Sequence, residues 1–122
     1  MTELERSHAH MVLSLAKDGN AIINDLTPET AHNLHMAVGI AGEAGELLDA
    51  VKKSAIYNKL IDRENVVEEL GDLEFYMEGL RKKLGITREE TLIHNLDKLA
   101  VRYAKGKFSN DQAQARADKE EN

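Results

Sequence analysis

Residues Ala37–Tyr76 read AVGIAGEAGELLDAVKKSAIYNKLIDRENVVEELGDLEFY. On a wheel of ~100° per residue, Leu34, Ala37, Val38, Ala41, Ala44, Leu47, Leu48 and Val51 cover more than half the circumference of one helix. Such a helix is buried on several sides. Its remaining strip carries His32, His35, Glu43, Glu46, Asp49 and Lys53, with Gly39 and Gly42 among them. Beyond a short polar connector, Tyr57 to Asp62, a second apolar stripe recurs at Val66, Leu70, Leu73, Met77, Leu80 and Leu84. Two helices joined by so short a connector fold back on each other, and the fold class is all-α.

Outward from this hairpin, the boundaries follow from capping chemistry. Thr27 is an N-cap, Pro28 fits the first helical position and Glu29 favours the helix dipole, so the long helix runs from there to about Ala55. Asp62 caps a helix over about 63–84. Arg81, Lys82 and Lys83 suit its C-terminus, and Gly85 its termination. Thr87 and Glu90 form a capping-box signature for a helix ending near Gly106. Upstream, a first helix spans about Leu4 to Lys17 and stops at Asp18-Gly19-Asn20, a turn signal, with a connector through Asn24 and Asp25. Four helices with short connectors predict an antiparallel four-helix bundle in one domain over 1–122, followed by a polar tail over 109–122.

Composition narrows the chemistry. There are no cysteines, which removes disulfides, thiolate zinc sites and cysteine nucleophiles. The formal net charge of −6 gives no footprint for duplex nucleic acid. No apolar run approaches the ~20 residues of a membrane span. The first twenty residues lack the basic start and apolar core of a signal peptide, so a cytoplasmic location is expected.

Glu43 and Glu46 are spaced i,i+3, and Glu69 and Asp72 repeat that spacing on the next helix. Such pairs share a face. Glu46 and Asp72 lie at similar distances from the connector, so the two pairs meet at similar depth across the hairpin. Four like charges there would repel unless neutralised. Hard carboxylate oxygens suit Mg²⁺, with Mn²⁺ as a substitute. Asn95, Lys98 and Arg102 recur at i, i+3 and i+7 and supply a polar, cationic face suited to phosphate. A metal cluster and a cationic face together suit phosphoryl transfer.

Each feature also has a commoner reading. With 22 acidic residues in 122, chance gives about four acid pairs at i,i+3, so a bare ExxE pair is usually solvated surface. The glycine-rich setting and matched depth set these two pairs apart. The Asn95/Lys98/Arg102 face, Lys52, Lys53 and Lys59 are, each alone, more often surface. A lysine near the hairpin end also has the reach for a phosphate. His32 and His35 are more often edge-of-core residues than ligands, and Tyr76 more often packing.

The stretch Ala37–Tyr76, with Glu43-Ala-Gly-Glu46 and Glu69-Leu-Gly-Asp72, resembles the MazG-like all-α nucleoside triphosphate pyrophosphohydrolases, whose signature is ExxE, a spacer, then ExxD. The later NLDKLAVRYAKGKFS is similar to that family's downstream segment, so the resemblance covers about 31–115. It implies that Glu43, Glu46, Glu69 and Asp72 bind Mg²⁺. It also implies hydrolysis of a nucleoside or deoxynucleoside triphosphate to monophosphate and pyrophosphate. Asn95, Lys98 and Arg102 would hold substrate, with Lys53 or Lys59 assisting, in a homodimer or homotetramer. The alternatives are a non-enzymatic helical scaffold and a nucleotide sensor without turnover. No motif reads the base.

Overall fold

The computed structural model describes residues Met1–Tyr103. Among these residues five helices follow one another: α1 (Glu3–Leu15), α2 (Gly19–Asp25), α3 (Pro28–Tyr57), α4 (Arg63–Leu84) and α5 (Arg88–Arg102). There is no strand among the described residues. The polar tail and the last turn expected near Gly106 lie outside them.

The caps explain the boundaries. The Thr27 hydroxyl accepts from the Thr30 amide, and the Thr30 hydroxyl accepts from the Thr27 amide, so both orphan donors are satisfied at the start of α3. Asp62 accepts from the Asn65 amide at 3.0 Å and starts α4. Gly85, at φ 69°, stops it: the Ile86 amide donates back to the Arg81 carbonyl at 2.9 Å. Asn58 closes α3 in the left-handed region, which Asn tolerates better than most residues. Thr87 accepts from the Glu90 amide at the head of α5.

Asp18–Asp25 was expected to be a turn and a connector, yet Gly19–Asp25 is a short helix with Asp18 at its N-cap. Asp18-Gly19 does end α1, but the apolar Ala21-Ile22-Ile23 that follows starts a new turn of helix rather than a loop.

Among the described residues, only α3 and α4 pack extensively along each other. They run antiparallel: Met36 meets Gly79, Gly39 meets Tyr76, and Glu43 meets Glu69 and Asp72. Gly39 is needed because a Cβ there would overlap the Tyr76 ring. A Cβ on Gly79 would overlap the Met36 sulfur. Met36 and Ala50 are the buried apolar residues among those described. Among the described residues, the expected four-helix bundle is therefore not closed. A hairpin forms, while α1, α2 and α5 keep apolar side chains in the open.

Candidate metal centre on the α3–α4 hairpin

Glu43 projects from the middle of α3, and Glu69 and Asp72 from α4. Each offers a carboxylate oxygen, and the three oxygens lie within 4.8 Å of one another. Glu43 and Glu69 are half-buried. The Glu69 Oε2 is shielded from solvent and has no hydrogen-bond partner among the described residues. Glu46, expected as a fourth member, is not part of this trio and stands exposed one turn along α3. Its charge still reaches Glu69.

Electrostatics single out Glu69, whose carboxyl is raised from 4.5 to about 7. The largest cause is the Glu43 carboxylate, which lies where a proton on Glu69 can bond to it and so favours the protonated form, followed by desolvation and the charges of Glu43, Asp72 and Glu46. A shielded oxygen without a donor, facing two more carboxylates, suits a hard cation. All of the offered donors are oxygens, the set that Mg²⁺ and Mn²⁺ accept.

Neighbours hold the site in place. Tyr76, one turn beyond Asp72, packs against Gly39 and edge-on to His35, with ring centroids 6.1 Å apart. His32 Nε2 lies 3.1 Å from the Gly79 carbonyl, an edge-of-core role rather than a ligand's. Sequence reading missed a feature of Arg81: its guanidinium folds back onto Glu78 at 3.0 Å and Glu74 at 3.7 Å. The i,i+3 and i,i+7 spacings on α4 were the available signal.

The other expected residues are less drawn in. Lys53 pairs with Asp49 at 3.1 Å on the exposed surface, and Lys59 lies exposed in the connector. Asn95 is exposed, while Lys98 and Arg102 are half-buried and engaged in interactions of their own. Among the described residues the extensive packing is between α3 and α4 and does not include α5.

Residues 31–106 match the family model of the MazG nucleotide pyrophosphohydrolase domain. The chain belongs to this family. All three clustered carboxylates, Glu46 and the Asn95/Lys98/Arg102 face fall inside the matched MazG region, whereas α1 and α2 precede it. MazG proteins are nucleoside triphosphate pyrophosphohydrolases, so the chain is a hydrolase by family. No curated protein and no solved structure matches it. No helix among the described residues is long and apolar enough to cross a membrane.

Proposed function

We propose that this MazG domain hydrolyses a nucleoside or deoxynucleoside triphosphate to a monophosphate and pyrophosphate, using Mg²⁺ held by Glu43, Glu69 and Asp72, with Glu46 beside them. The observation that carries this reading is the convergence of the three carboxylates across the hairpin, inside the matched region. Bound there, the cation supplies charge neutralisation and an activated water. Glu43, Glu69 and Asp72 fix its position. Without the cation Glu69 holds its proton up to about pH 7, so the cation would displace that proton as it binds. Asn95, Lys98 and Arg102 grip the phosphates, with Lys53 or Lys59 assisting from the far end of the hairpin.

The chain acts as one domain and works as a homodimer or homotetramer. The exposed apolar face of α3 and the exposed apolar residues of α5 support that assembly, which offers the cationic face a route to a carboxylate trio.

Product analysis tests the proposal. The full chain, incubated with a panel of ribo- and deoxynucleoside triphosphates, should release pyrophosphate with Mg²⁺ and none with chelator. Release of orthophosphate alone would refute it. The same panel ranks the bases, for which the sequence holds no motif.

A further inference from the structure

Helices α1 and α2 form an arm that precedes the MazG region and packs extensively on no other helix among the described residues. Leu4, His8, Met11 and Leu15 follow one another at steps of four, three and four residues, the spacing of a coiled-coil seam. This seam is open: Leu4 is 79% exposed and Leu15 78%. A lone helix of 13 residues is marginal in water, so its stability has to come from packing.

The outer face of α3, turned away from α4, carries a second seam of the same kind. Leu34, Val38, Ala41, Gly45 and Leu48 repeat the four–three step, and Val38 is 61% exposed and Leu48 68%. Its centre is small, so another helix can approach closely, and none of its residues is charged. At 1.5 Å per residue the α1 seam is about 16 Å long and the α3 seam about 21 Å, so the first fits within the second.

Area points to a second copy of this chain as the occupant. The chain exposes 10262 Å², whereas a compact monomer of residues 1–103 alone, about 11.5 kDa, exposes roughly 5,800 Å². Crediting the residues beyond Tyr103 with the full exposure of an extended chain accounts for roughly 3,000 Å². The remaining excess is still more than about 1,000 Å², above the ~800 Å² that each partner gives to a standard interface. Both seams lie open on one chain, which is what a self-complementary interface requires.

We infer that the N-terminal arm reaches across to a second copy and lays the α1 seam along the outer face of that copy's α3. The arm then acts as a clasp between chains, contributed by residues that precede the matched region. This rests on the homo-oligomer reading above and not on the reaction chemistry.

The chain has no native cysteine, so one introduced thiol is unique. Met11→Cys carries a benzophenone photo-crosslinker and is mixed and equilibrated with an equal amount of ¹⁵N-labelled wild-type chain. Light scattering is expected to show a particle of more than one chain. After illumination, adducts should map to α3, with ¹⁵N-labelled and unlabelled α3 peptides in about equal amounts. Unlabelled adducts only would mean that the arm folds onto its own chain. Adducts elsewhere, or none within an assembled particle, would mean that the arm docks differently or not at all. Each of these results overturns the clasp while leaving the oligomer standing, and a particle of one chain overturns both.

Discussion

Glu69 faces Glu43 and Asp72 at a separation where three ionised carboxylates repel strongly. In the metal-free protein it therefore keeps a proton to about pH 7. A carboxyl raised in the folded state stabilises the fold fully below its unfolded pKa, and that contribution is lost as pH rises through the folded value. With chelator present, the melting temperature should fall between pH 5 and pH 8, and Glu69→Gln should flatten that slope. Thermal melts across this range check both. Cation binding must displace the same proton, so at pH 7 it should release a fraction of a proton per site, visible as a buffer-dependent heat in titration calorimetry. At Gly39 the demand is steric. Alanine there collides with the Tyr76 ring, and Gly39→Ala should cost about 1–3 kcal/mol despite the better helix propensity of alanine, as read from urea denaturation.

At the scale of the helices, most boundaries were legible in the sequence because they are set by local chemistry. Thr27, Asp62, Thr87 and Gly85 each make the hydrogen bond or adopt the backbone angle that their residue type suggests. Thr27→Ala removes an acceptor from the head of the longest helix and should cost about 1 kcal/mol, measured by denaturant titration. Helix α2 was not legible, because Asp18-Gly19 serves as well to begin a helix as to end one. The pairing of Glu43 with Glu69 and Asp72 was legible from matched depth along two helices. The exclusion of Glu46 from the trio was not: i,i+3 spacing gives a shared face but not the rotation that decides which edge of it meets α4. The Asn95/Lys98/Arg102 face illustrates the same limit, since periodicity within α5 says nothing about where α5 docks.

For the whole molecule, the apolar surface left open by one copy and the charge gathered on the hairpin point in the same direction. A hairpin that buries Met36 and Ala50 and leaves Leu34, Val38 and Leu48 exposed offers an apolar surface that the proposed assembly would cover. The central claim is that the carboxylate trio is the seat of the hydrolysis. The most direct measurement is pyrophosphate release from a nucleoside triphosphate with Mg²⁺, comparing the full chain with Asp72→Asn, an isosteric change that removes one charge from the trio. A loss of about 100-fold or more, with helical circular dichroism retained, is the expected result for a metal ligand. Undiminished release from Asp72→Asn would contradict the assignment and place the chemistry elsewhere in the molecule.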